Sequence, residues 1–428
     1  AVPVMAINWM FNIGILWLIQ SILKRLGVSV LWILIVLLCF VADINVIFWA
    51  NSGMETPILA FLVTLCVWAL SSKRYAPFLL SLSAIPLVRS DSIILALALG
   101  IVFLWQERLT RKALILLALT TLPAVVQLLF RVVYYANLMP NPYYLKVTGS
   151  DLLGLNGLRY AFRFLTTYGL LALLLPVTAL LIPRLRVVVF ICCVQIAYFI
   201  LIGGDAFQFV RFAVPILPLI YLCAVVCLFH LAKNRDQSAR FLAVAYLLFA
   251  TPLLGDLFTF PNNVALGWLE LGVLIEDNTP PNTVVAISAA GTAPYFADQQ
   301  RFVDLLGVTD AHIAHVTPAP ELGVLGHNKF DFTYIYQVRK PDVLHTDSSC
   351  QQAADLLASL SPDNWESYLQ TLPPDQDVHD YFEILNADFV RDYFPNPVSI
   401  DLQGQRGCLY LRTGSTLPHH WQFTDQPQ

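Results

Sequence analysis

Apolar runs long enough to cross, or nearly cross, a hydrocarbon layer about 30 Å thick recur through the first 258 residues, and no other feature restricts the fold so strongly. They fall at 4–22, 28–49, 57–72, 75–88, 92–106, 113–133, 158–182, 187–203, 210–232 and 241–258. About ten transmembrane helices are expected. The chain is 57% hydrophobic, 13% charged and has a mean hydropathy of +0.65, whereas an average soluble domain is about a quarter charged. Runs 75–88 and 92–106 are short enough to form a re-entrant hairpin, but the loop charges argue for two spans.

Basic residues occupy every second loop: Lys24 and Arg25, then Lys73 and Arg74, then Arg108, Arg111 and Lys112, then Arg184 and Arg186, then Lys233, Arg235 and Arg240. This is the positive-inside pattern. It places the alternate loops, 51–56, 89–91, 134–157 and 203–211, outside the cytoplasm with everything after residue 259, and parity puts Ala1 outside too. The expected location is the plasma (inner) membrane. A net charge of -4, spread along the chain, excludes the clustered basic face that nucleic acid requires. The chain begins at Ala1, without an initiator methionine or a basic segment before its first apolar run, so an upstream segment is expected.

Composition turns polar near residue 259, which divides a transmembrane domain, 1–258, from a soluble domain, 259–428. Strands are expected at Thr283–Ser288, Phe302–Leu306, Phe332–Val338 and Cys408–Arg412, and a helix near Cys350–Leu360, giving an extracytoplasmic α/β domain. Gly291 stands alone, so no dinucleotide fingerprint is present. Cys39, Cys66, Cys192, Cys193, Cys223 and Cys227 lie in apolar runs without metal spacing. In an oxidising compartment, Cys350 and Cys408 are free to pair or to stay reduced, and sequence does not decide between these states.

Under this topology the polar helix ends converge on one membrane face: Glu55, Arg89 and Asp91, Tyr143, Tyr144 and Lys146, and Asp205 with Arg211. Cations hold a phosphate, and a carboxylate takes a proton from an acceptor hydroxyl or holds a divalent cation such as Mg or Mn. The set therefore suits transfer from a phosphorylated lipid. Each residue also has a plain structural role: Glu55 as a helix N-terminal charge before Pro57, the Arg89 and Asp91 pair as a turn cap, and Asp205 with Arg211 as an interfacial ion pair. Asp43 has a plain partner in Asn45 or a neighbouring helix and is left out of the site. Histidines such as His312, His315, His419 and His420 lack a metal-site pattern.

Several short segments, in order, resemble the GT-C type glycosyltransferases that use polyprenyl-phosphate sugars, and among them the mycobacterial terminal arabinofuranosyltransferase group. They are Asn51 to Pro57 (NSGMETP), Arg89-Ser90-Asp91, Leu138 to Lys146 (LMPNPYYLK), Gly203-Gly204-Asp205 with Arg211, Phe212 and Pro215, Asp304 to Asp310 (DLLGVTD), and Gly326-His327-Asn328-Lys329. The resemblance spans residues 51 to about 342. It implies an inverting transferase whose outward cavity passes a sugar from a polyprenyl-phosphate donor to a cell-envelope glycan or protein acceptor. Arg89, Lys146, Arg211, Tyr144 and Lys329 would face the donor phosphate, and Asp205, Asp91 and Glu55 the acceptor or a metal. Two departures stand out. The family's acidic first outer loop has no counterpart here, so the resemblance does not locate the base, and Asn328 replaces an acidic residue. Other classes are a lipid or glycan transporter, for which no inverted repeat or mid-membrane break is seen, and a non-enzymatic envelope glycan-binding assembly protein.

Overall fold

The computed structural model describes residues 2–147, 153–205, 209–233, 235–252, 264–288, 291–317, 328–346, 348–359, 383–384, 386–400, 408–418 and 421. The chain divides into two compact units, Ala1–Leu138 with Leu153–Thr259, and Met139–Leu152 with Phe260–Gln428. The short segment around Tyr144 therefore belongs with the C-terminal residues.

The first unit is helical: α1 (Val2–Arg25), α2 (Val30–Ala42), α3 (Ile44–Asn51), α4 (Thr56–Ser71), α5 (Tyr75–Val88), α6 (Ile93–Gln106), α7 (Arg111–Tyr135), then α9 to α13 after an intervening α8 (Asn141–Val147) of the other unit. The later helices are α9 (Leu153–Ala172), α10 (Leu174–Leu181), α11 (Arg186–Leu201), α12 (Leu217–Ala232) and α13 (Gln237–Ala250). Among the described residues, five stretches are long and apolar enough to cross a membrane: Pro3–Arg25, Arg111–Tyr135, Gly154–Leu181, Pro183–Leu201 and Arg211–Ala232. They become six if α3 and α4, bent by 118°, form one broken span. At the centre of the bundle, α12 is buried along most of its length and packs against α2, α10, α11 and α13. The outer faces are apolar as well. On α7, Ile115, Leu119, Val126 and Val133 are all exposed, a surface that hydrocarbon satisfies and water does not.

The run 28–49 is not one helix. Asp43 breaks it, because its carboxylate accepts the Asn45 N–H at 2.8 Å and so caps α3 while ending α2. The same carboxylate accepts the hydroxyls of Tyr168 on α9 and Tyr221 on α12 at 2.8–2.9 Å, and Ile44 N–H reaches Pro252 O at 3.0 Å. A buried carboxylate is tolerated in an apolar run because its lone pairs are used. Run 158–182 breaks between α9 and α10 for a different reason: Pro176 removes one N–H and crowds the carbonyl four residues back.

The second unit contains a five-stranded mixed sheet, with β1 (Val284–Ile287), β2 (Arg301–Asp304), β3 (Val343–Thr346), β4 (Pro397–Ser399) and β5 (Cys408–Leu411) in the order β2-β1-β3-β5-β4. β1 runs parallel to β2 and β3, whereas β5 is antiparallel to β3 and β4. Alternate residues serve two cores. Ala286, Val303, Leu344 and Tyr410 pack with Ile335 and Phe389, while Val285, Val343 and Leu409 pack with Leu271 and Ile275 of α14 (Val264–Asn278). The short helices α15 (Thr292–Phe296) and α16 (Ala311–His315) follow β1 and β2, and Cys350, opening α17 (Cys350–Ser359), forms a disulfide with Cys408 of β5, their Cα atoms 5.0 Å apart.

Phe332–Val338 is not a strand. Phe332 and Thr333 are helical and lead into a π-helical turn, Tyr334–Arg339, started by Asp331, whose carboxylate accepts Tyr334 N–H at 2.9 Å. Aromatic residues at every second position imitate strand alternation, but here Phe332 stacks on Tyr336 one helical turn away, at 5.9 Å.

Candidate functional site

The GGD stretch begins where α11 stops. Gly203 and Gly204 both take positive φ, 86° and 71°, and Gly204 N–H closes the helix end by donating to Phe199 O at 2.8 Å. A Cβ on Gly204 would lie 2.3 Å from Cβ of Tyr160, so no larger residue fits there. Asp205 follows directly. Phe209 and Val210 are also left-handed, at φ 62° and 36°, and the second is an outlier for a β-branched residue. Trp49 Nε1 helps to hold this turn by donating to Phe209 O at 2.8 Å.

The turn delivers Arg211 to Asp205, with Nε 2.7 Å from Oδ2 and the Asp205 side chain only 1% exposed. Its guanidinium also lies over Trp49 and Phe212, 5.8 and 5.5 Å from the ring centroids. Phe212 is shared, because Arg89 lies over the same ring at 5.1 Å. The ring is fixed through its backbone: Phe212 N–H donates to Tyr160 Oη at 2.9 Å, and Gln195 Nε2 donates to Phe212 O at 2.8 Å.

Arg89 ends α5 and makes a two-point pair with Asp91, Nε to Oδ1 at 3.0 Å and Nη2 to Oδ2 at 2.6 Å. Its remaining nitrogen, Nη1, donates to Glu55 Oε1 at 3.0 Å. Glu55 therefore does not cap α4 with its side chain, although it stands at the N-cap position before Pro57. Tyr198 of α11 donates its hydroxyl to Asp91 Oδ2 at 3.0 Å. A narrow cavity of about 10 Å³, lined by Thr56, Arg89, Asp91, Gln195, Tyr198 and Arg211, has room for one water at most.

Of the site residues expected from sequence, Glu55, Arg89, Asp91, Asp205 and Arg211 thus gather in the first unit around Phe212. Three members escaped sequence reasoning. Tyr198 and Gln195 are polar residues inside an apolar run, which is a usable signal, whereas nothing local marked Phe212 as a shared platform. Glu55 and Asp91 both pair with Arg89, and among the described residues no three His, Cys, Asp or Glu side chains group together.

Tyr144, Lys146 and Lys329 belong to the second unit. Lys329 is buried, 2% exposed, and its ammonium donates to Tyr144 O at 2.8 Å and to Ala314 O at 3.1 Å, tying α8 to α16 (Ala311–His315). Burial pushes its pKa down. Tyr144 lays its ring on His315 at 4.2 Å, Lys146 is half-buried, and Tyr143 is exposed. The DLLGVTD segment completes this assembly. Asp304 accepts Leu306 N–H at 3.0 Å and Thr309 N–H at 2.6 Å, and Asp310 caps α16 through His312 N–H at 2.9 Å while pairing with Arg339 at 3.0 Å. Gly307, at φ 80°, lets Ala314 N approach to 2.9 Å of where a Cβ would be. Burial pushes the Asp304 carboxyl up, whereas at Asp331 burial, the largest single influence, is outweighed by His312 and the Tyr334 and Thr333 N–H groups acting together, and the pKa falls. Gly326 and His327 lie outside the described residues.

These features are those of a helical membrane protein with an ion-paired cluster at one end of its bundle and a separate mixed α/β unit. Residues 262–392, inside the second unit, match the model of a family described as a domain of unknown function, DUF8728. No curated protein and no solved structure matches the chain.

Proposed function

We propose that the chain is a GT-C type membrane glycosyltransferase with about ten spans, similar to the terminal arabinofuranosyltransferases, that moves a sugar from a polyprenyl-phosphate donor to a cell-envelope acceptor. The observation that carries this reading is the meeting of Arg89 and Arg211 at the one ring of Phe212, each beside a carboxylate. In the reaction an acceptor oxygen bonds to the anomeric carbon as the bond from that carbon to the phosphate oxygen breaks. The polyprenyl phosphate leaves, and a carboxylate receives the acceptor proton. Phosphate is already a good leaving group, so the protein's part is positioning and electrostatic stabilisation. Arg89 and Arg211 would face the phosphate with the N–H groups their carboxylates leave over, while Asp205, Asp91 and Glu55 fix those guanidiniums or meet the acceptor. The disulfide between Cys350 and Cys408 supports an oxidising, extracytoplasmic setting for the second unit.

Lys329 is better read as a strut than as a phosphate ligand, since its ammonium is spent on carbonyls that fix the backbone of Tyr144. The test is sugar release from a panel of polyprenyl-phosphate donors by the full-length protein in membranes, comparing the wild type with Arg211→Ala and Asp205→Asn. Donor-dependent transfer lost in both variants supports the reading. Transfer by the wild type that survives both changes removes this cluster from the chemistry, and failure to consume any donor overturns the transferase reading.

A further inference from the structure

The helices that carry the ion-paired cluster at one end carry a second polar constellation at the other. α4 and α11 begin or end at the cluster and run for 16 residues each, about 24 Å, so the two ends are separated by close to one hydrocarbon thickness. At the far end of the first unit lies a cavity of about 600 Å³. Arg25 at the end of α1, Lys73 after α4 and Arg184 before α11 line it, with Glu107 and Tyr75. Ser71 and Gln106 add two neutral polar groups, and the remaining wall is apolar, including Ile22, Val67, Leu70 and Val188.

The balance of charge is the reverse of that at the first site, where Glu55, Asp91 and Asp205 outnumber Arg89 and Arg211. Glu107 is the lone carboxylate of the lining, and it accepts the Tyr75 hydroxyl, so the lining carries an excess of two positive charges. No ion pair to Lys73 or Arg184 occurs among the described residues. Arg25 is held in place by Ser72 and by the face of Trp68, 5.4 Å from its guanidinium. Lys73 occupies the left-handed position, φ 53°, that ends α4, with Arg74 N–H returning to Ala69 O at 2.9 Å. Glycine is the usual residue at such a C-terminus. A lysine there puts a charge on the cavity lining in a backbone conformation that glycine adopts more readily.

We propose that this cavity binds an anionic phospholipid, its phosphate between Arg25, Lys73 and Arg184 and its first acyl carbons against the apolar wall. The argument rests on the chain spanning a membrane, not on its catalysing transfer. Basic pockets between helix ends recognise lipid phosphate in this way, and excess cation with an apolar flank fits an amphipathic anion better than a free one.

The test is native mass spectrometry of the full chain in detergent with phosphatidylglycerol, phosphatidylcholine or glycerol phosphate. Two variants are compared: Arg25→Gln/Lys73→Gln/Arg184→Gln, and the loop variant Arg111→Gln/Lys112→Gln, which removes two charges from the first turn of α7, where the loop after α6 ends, outside the lining. Arg184→Gln alone guards against misfolding, because its side chain is exposed. The wild type should retain phosphatidylglycerol over phosphatidylcholine by about tenfold, Arg184→Gln should weaken that by roughly fivefold, and the triple variant should abolish the preference. The loop variant should keep it. Equal loss in the loop variant would reduce the effect to general surface charge and overturn the site. Glycerol phosphate held as tightly as the lipid would overturn the lipid assignment, and so would absence of any headgroup preference in the wild type.

Discussion

Arg89 and Asp91, separated by one residue, face each other through two parallel contacts of 3.0 and 2.6 Å, and the third guanidinium nitrogen is taken by Glu55. Only a planar fork meets both carboxylates at once. Arg89→Lys should therefore keep the charge but lose the geometry, with a stability loss of about 1–2 kcal/mol in a urea titration in detergent. Asp91→Asn should cost a similar amount. If Arg89→Lys is as stable as the wild type, the fork geometry is not what holds these helix ends together.

Asp205 and Arg211 form the more deeply buried pair. Arg211→Ala leaves a carboxylate that is 1% exposed without its cation, for an expected loss of roughly 3–5 kcal/mol. The double variant Asp205→Ala/Arg211→Ala should lose less than the two single changes together. A double-mutant cycle with no coupling would mean that the 2.7 Å approach contributes nothing.

Lys329 gives the second unit a dependence on pH. Its folded pKa is lowered by burial, so between that value and the unfolded value near 10.4 the unfolded chain binds more protons. Stability should rise with pH through this window, because the penalty for a buried ammonium is relieved there. Lys329→Met should flatten the rise in melting temperature as the pH climbs towards the unfolded value. An unchanged slope would assign the dependence to another group.

The Cys350–Cys408 disulfide closes a separation of 58 residues and should stabilise the sheet by about 4 kcal/mol through the unfolded chain. Reduction, or Cys350→Ser/Cys408→Ser, should lower the melting transition of the second unit while leaving that of the helical unit in place. A uniform fall across both transitions would show that the units unfold together.

The sequence by itself determined the helical character of the first 258 residues, since long apolar runs admit few other solutions. It also marked Glu55, Arg89, Asp91, Asp205 and Arg211, because charges beside apolar runs are costly and few. The strands near Val284, Arg301 and Cys408 were legible from their β-branched and apolar clusters, and Phe332–Val338 was misread because helical stacking of aromatics and strand alternation share residues at even spacing. Only the tertiary structure decided the rest. That the Asp43 carboxylate would be satisfied while buried followed from Tyr168 and Tyr221, which are 125 and 178 residues away in the chain. That Lys329 would be buried against Tyr144 O followed from a contact 185 residues apart. Spacing along the chain reports the cost of placing a charge near hydrocarbon. Which partner offsets that cost depends on which distant side chains packing brings within 3 Å, and local pattern carries no record of it.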